Sequence, residues 1–135
     1  MSSTHTAGSE PLFSKPSSPV GIVAVVMATV TGVLHLLAVM NAIQFDQTLA
    51  ILFALNGLGF LGGIVVYLSR YWRRPLFLVA AAYAVVTILA LFPERGWGLE
   101  AFYMEGSINP IIVITKAAEA ILAACALYLY AGSGE

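Results

Sequence analysis

Four long apolar runs, at residues 20–43, 49–69, 75–92 and 110–131, alternate with short polar stretches along this chain. Each run is close to the roughly 20 residues that an α-helix needs to cross the hydrocarbon core of a bilayer. Membrane strands are about half that length and alternate apolar with polar positions, so the runs predict helices. The flanking residues agree. Pro19, Pro75 and Pro110 stand where a first helical turn begins, the position that tolerates a missing N–H. Ser18, Asp46 and Asn109 are placed to cap three of the spans, and Gly132 to close the fourth. Residues 1–19 are rich in Ser, Thr and Pro, lack apolar periodicity and read as a disordered tail. No basic start directly precedes the first run, so it is read as a retained span, not a cleaved signal. The expected fold is all-α, a polytopic up-down-up-down bundle of four transmembrane helices over residues 20–131.

Composition narrows the function classes. The chain has 135 residues, of which 60% are hydrophobic and 10% charged, against roughly 45–50% and about 25% in soluble domains. A soluble enzyme and a nucleic-acid module are excluded, and a net charge of −1 gives no field to draw in a polyanion. One cysteine, Cys125, precludes a disulfide framework or a multi-cysteine metal site within one chain. Set in an apolar helix, it reads as an inert thiol.

Orientation follows from the basic residues of the short links. Arg70, Arg73 and Arg74 lie between spans two and three and Lys15 lies in the tail, whereas Arg95 stands alone among the opposite links. This puts both termini and the arginine link in the cytoplasm of a multi-pass cell-membrane protein. Segment 93–109, on the outer side, is too long for a tight turn and is expected to hold a short interfacial helix around residues 99–104.

The stretches VTGVLHLL, FALNGLGFLGGIVVYL, LFLVAAAYAVVTILAL and KAAEAILAACALYLY resemble a group of small four-helix membrane proteins of unknown function, found mainly in halophilic archaea. The resemblance spans about residues 20–131. It implies a fold and a membrane location, and carries no activity, cofactor or catalytic residue.

Ionisable and strongly polar side chains are costly in lipid and usually face a bundle interior. Here His35, Asn56, Tyr83, Thr87, Lys116 and Glu119 all fall roughly 8–14 Å from the outer ends of their spans, at 1.5 Å per residue. Small residues mark faces of close helix packing: Ala24, Ala28 and Gly32 lead towards His35, and Gly59 and Gly63 lie along the stripe of Asn56. The six polar residues are therefore expected to form one buried cluster. The spacing of Lys116 and Glu119 suits a local ion pair; the alternative leaves one of them free to exchange a proton or bind a solute. His35 reads as a hydrogen-bonded packing residue before a relay or ligand. Met40 lies off its face and Met27 is two turns away, and a two-histidine haem would need a second copy, so no metal or cofactor is expected. No nucleophile–base pair or phosphate motif is apparent.

Three readings follow. The favoured one is a non-catalytic accessory or assembly subunit of a larger membrane complex, its partners being the bilayer and other membrane subunits or itself. The second is an oligomeric proton- or cation-linked carrier or channel that uses the polar cluster, with Glu119 as the exchanging group. The third, a membrane enzyme or a quinone or haem binder, has least support.

Overall fold

The structure, a computed structural model, describes residues 11–133. Four helices account for most of it: α1 Pro19–Ala42, α2 Gln47–Leu68, α3 Pro75–Arg95 and α4 Pro110–Gly132. All four are long and apolar enough to cross a membrane, and the chain is a multi-pass membrane protein of all-α class. The N-caps are those expected from the sequence, whereas Gly132 is the last residue of α4 and Ser133 caps it. Ser18 Oγ accepts from the Gly21 N–H at 3.2 Å, Asp46 Oδ1 from Leu49 at 3.1 Å, and Asn109 Oδ1 from Ile111 at 2.9 Å. Helix α3 runs one turn beyond the expected Phe92, continuing through Pro93, and stops at Gly96, whose φ of +121° suits glycine.

Helix α1 is central, packing along both α2 and α4, and α4 packs in turn along α3. Consecutive helices α2 and α3 do not pack along their length. The bundle is therefore an open arc in the order α2–α1–α4–α3, with a lateral gap between its two ends. The tightest seam is α1 against α2. A Cβ added at Gly57 would lie 2.8 Å from the Gly32 carbonyl oxygen, and one at Gly32 would lie 2.9 Å from Leu61. The expected packing pair behaves differently. A Cβ at Gly59 would strike the Tyr83 hydroxyl, a side chain rather than a neighbouring backbone, and one at Gly63 would meet nothing within 4 Å. Gly59 and Gly63 face the gap because α2 presents the adjoining stripe, Ala50, Gly57 and Phe60, to the core.

Two further segments depart from the sequence reading. The part of the expected disordered tail that is described is tied down: Ser14 N–H donates to the Leu68 carbonyl and Arg70 N–H to that of Leu12, each at 2.9 Å, and Phe13 bridges Ser69. The unpaired backbone at the end of α2 explains this, since it gives an extended strand something to bond. The tail expectation for residues 1–10 lies outside the described residues. In the opposite link, the helix expected at 99–104 is a 3₁₀ turn, Leu99–Phe102, followed by a hairpin of β1 Tyr103–Met104 and β2 Ser107–Ile108. Glu105 and Gly106, with φ of +53° and +87°, form the two-residue turn. Arg95 holds this link to the end of α3, donating from Nε to the Ala101 carbonyl at 2.9 Å and from Nη2 to that of Tyr103 at 2.8 Å.

Candidate functional site: a polar network across four helices

The polar side chains meet in the half of the bundle away from the arginine link. At the centre is Glu119 of α4, with 0% of its surface exposed. Its Oε2 accepts from the Thr31 hydroxyl of α1 at 2.6 Å, and its Oε1 lies 2.8 Å from Lys116 Nζ, one turn earlier on the same helix. That ammonium contact is the company Oε1 keeps, since it accepts no other hydrogen bond among the described residues.

On α1, His35 Nδ1 lies 2.9 Å from the Thr31 carbonyl oxygen and 3.2 Å from the Thr31 hydroxyl. With the hydroxyl donating to Glu119, the consistent arrangement is an Nδ1–H donating to the carbonyl, an assignment drawn from the network itself. His35 Nδ1 is 3.9 Å from Glu119 Oε2, so the Thr31 hydroxyl stands between imidazole and carboxylate. The ring packs edge-on against Phe53, with centroids 5.7 Å apart, and tilted against Phe60. Local sequence places these groups well: Ala24, Ala28, Thr31 and His35 recur at four- and three-residue steps and form one buried stripe of α1.

From Lys116 the network crosses to the other helices. Its Nζ donates to the Thr87 carbonyl of α3 at 3.2 Å. The Thr87 hydroxyl is 3.2 Å from Asn56 Oδ1 of α2 and 2.9 Å from the Tyr83 carbonyl, both of which can accept from it. The Tyr83 hydroxyl donates to the Asn56 carbonyl at 3.0 Å. These bonds, with an edge-on Phe60–Tyr83 contact at 4.8 Å, bridge the ends of the arc across the gap.

The structure thus brings together His35, Asn56, Tyr83, Thr87, Lys116 and Glu119. Tyr83 lies towards the rim, 37% exposed, rather than in the interior. Of the small residues, Ala24, Ala28 and Gly32 are buried, while Gly59 and Gly63 are exposed along the gap. Sequence reasoning missed Thr31. Its signal was the 24–28–31–35 stripe, which carries a hydroxyl one turn before the histidine.

Beyond this network, towards the arginine link, the gap widens into an apolar crevice of about 260 Å³. Its far end carries an aromatic group in which Tyr67, Trp72 and Phe77 meet edge-on, with centroids 5.1–5.9 Å apart. The Trp72 indole Nε1 is buried there without an acceptor among the described residues, a state that costs about 1–3 kcal/mol. Arg70, Arg73 and Arg74 sit in the adjoining link. Arg74 stacks 3.8 Å over the Tyr130 ring and donates from Nε to the Tyr130 carbonyl at 3.1 Å. Among the described residues no group of three or more His, Cys, Asp or Glu could hold a metal ion.

The chemistry open to the network is limited. It can fasten helices, and its hydroxyl, imidazole, ammonium and carboxylate can exchange protons, but the space beside it is apolar. Comparisons with curated proteins and with solved structures returned no match. A family model does match, over residues 6–130, and by that match the chain belongs to a family of unknown function, DUF7475.

Proposed function

We propose that this protein is a non-catalytic accessory or assembly subunit of a larger membrane complex in the cell membrane, with both termini cytoplasmic. One observation carries the reading: the polar groups of the bundle are turned on one another, while its flanks are apolar. Glu119 is enclosed by Lys116 and Thr31 rather than aimed at a cavity. Large apolar side chains such as Leu37, Leu55 and Val86 face outward from three helices. A chain built this way offers surface to lipid and to neighbouring helices, and little to a soluble substrate. Mild detergent extraction from native membranes, followed by affinity purification of the tagged chain, tests the proposal. A stoichiometric membrane partner is the expected result; recovery as a homo-oligomer or monomer alone would refute it.

A second reading, a proton- or cation-linked carrier, rests on a separate feature. The sequence His35, Thr31, Glu119, Lys116 joins α1 to α4 through exchangeable protons, with steps of 3.2, 2.6 and 2.8 Å. It requires reconstituted vesicles to show a proton or cation flux that Glu119→Gln abolishes in a folded protein.

A further inference from the structure

The crevice between α2 and α3 ends on one side at the Asn56, Tyr83 and Thr87 bridge and on the other at Trp72, in the arginine link. Its walls include Phe77 on α3 and Phe60, Ile64 and Tyr67 on α2, where Gly59 and Gly63 leave bare stretches between the larger side chains. An object entering from the bilayer must be apolar and thin. The crevice is open along its bilayer side, and its lining is almost wholly apolar. A hydrocarbon chain fits.

The mouth at the arginine link decides what the chain belongs to. Arg73 follows Trp72 directly, and its guanidinium donates to the carbonyls of Arg70 and Trp72 at 3.1 and 3.0 Å through Nη1. Arg74 is held against Tyr130 through its Nε and ring face. Neither Arg73 nor Arg74 has a carboxylate within ion-pairing distance among the described residues. Two guanidinium groups without acidic partners, on the residues that follow the crevice-lining Trp72, complement a phosphate on a hydrocarbon tail. Trp72 supplies a second mark, since its buried indole N–H lacks an acceptor among the described residues.

We propose that this crevice binds one chain of an anionic phospholipid, whose phosphate is held by Arg73 and Arg74. The site does not depend on the subunit or carrier reading, because it uses the opposite half of the bundle from Glu119. The glycines of α2 then leave room for the lipid chain, in place of the helix contact that their spacing suggests.

The test uses the full chain with Trp97→Phe, which leaves Trp72 as the sole tryptophan. The protein is reconstituted in phosphatidylcholine vesicles with increasing fractions of phosphatidylglycerol bearing brominated chains, which quench indole fluorescence on contact. Brominated phosphatidylcholine serves as the control. Phosphatidylglycerol is expected to reach half-quenching at the lower mole fraction, and the preference should fall about fivefold for each of Arg73→Gln and Arg74→Gln. Bromolipid in both leaflets makes the reading independent of insertion direction, and circular dichroism verifies that each variant is helical. Gly63→Leu fills the crevice where an added Cβ meets nothing, so it should fold and show reduced quenching. Equal half-quenching by the two lipids, a preference that survives loss of both arginines, or undiminished quenching in folded Gly63→Leu would each overturn the proposal.

Discussion

Replacing Lys116 by Met is expected to destabilise the bundle more than replacing Glu119 by Gln, and replacing both to cost less than Lys116→Met alone. At the 2.8 Å separation of Nζ and Oε1, the gross attraction is about 6 kcal/mol in an effective dielectric of about 20. Desolvation of two ions, several kcal/mol each, offsets most of it. The pair is therefore worth little compared with an apolar replacement of both members, but breaking it by halves costs about 3–5 kcal/mol. The halves are unequal. Without Lys116, the fully enclosed carboxylate keeps one close donor, the Thr31 hydroxyl at 2.6 Å, while His35 stands off at 3.9 Å. Without the Glu119 carboxylate, the ammonium keeps the Thr87 carbonyl at 3.2 Å and some solvent access, with 13% of its side chain exposed. In addition, the glutamine amide can still accept from Lys116 through its oxygen. Glu119→Gln should thus cost about 1–3 kcal/mol, the scale of one weakened charged hydrogen bond. Unfolding by dodecyl sulfate titration in mixed micelles, followed by far-ultraviolet circular dichroism, measures all three variants. A double variant as unstable as the sum of the singles would refute the reasoning, since it would mean that the two charges do not compensate each other.

Three further outcomes are expected. Gly57→Ala puts a methyl against the Gly32 carbonyl and should cost about 1–3 kcal/mol by the same titration, whereas Gly63→Ala should be neutral or stabilising by about 0.5–1 kcal/mol. Arg95→Ala removes the two bonds that hold the 99–108 link to α3; limited proteolysis within that link should accelerate while the melting of the helices changes little. A cysteine placed at Glu105, in a Cys125→Ser background, should react with an impermeant maleimide on intact cells, and labelling only after lysis would invert the proposed orientation.

The spans and caps were legible in the sequence because they depend on local quantities: run length, a proline in the first turn and a short polar side chain before it. The polar layer was legible for a related reason. Residues on four helices of alternating direction that share one depth have few ways to avoid one another once the helices pack. Lateral order was not legible. Choosing between a closed four-helix ring and the arc α2–α1–α4–α3 requires knowing which small-residue stripe meets backbone and which meets open space. In α2 both stripes contain glycine: Gly57 on one, and Gly59 with Gly63 on the other. The four-residue repeat of Gly59 and Gly63 drew the expectation, but it was the single Gly57, matched by Gly32 on α1, that made the close approach. Spacing along one helix says which residues share a face, and nothing about whether another helix occupies it.

The arc has a consequence for how the two halves of the bundle divide their roles. Where α2 and α3 are bridged, hydrogen bonds from Asn56 to Thr87 and Tyr83 join them beside the Phe60–Tyr83 contact, and Lys116 of α4 adds its bond to Thr87. In hydrocarbon such bonds have no water competing for them, so a modest number can hold two helices that share little packed surface. Towards the arginine link no comparable polar bridge spans the gap among the described residues, and the helices part around the crevice. Thr87 is the hinge between these regimes, since its carbonyl accepts a hydrogen bond from Lys116 Nζ while its hydroxyl donates to Asn56 Oδ1. Loss of the hydroxyl alone, in Thr87→Val, should leave the Lys116–Glu119 pair intact and loosen the α2–α3 bridge. The expected result is a cost of about 0.5–1.5 kcal/mol in the dodecyl sulfate titration, with faster hydrogen exchange confined to α2 and α3. Exchange that rises equally in α1 and α4 would show that the network is one cooperative unit rather than a pair fastened to a separate bridge.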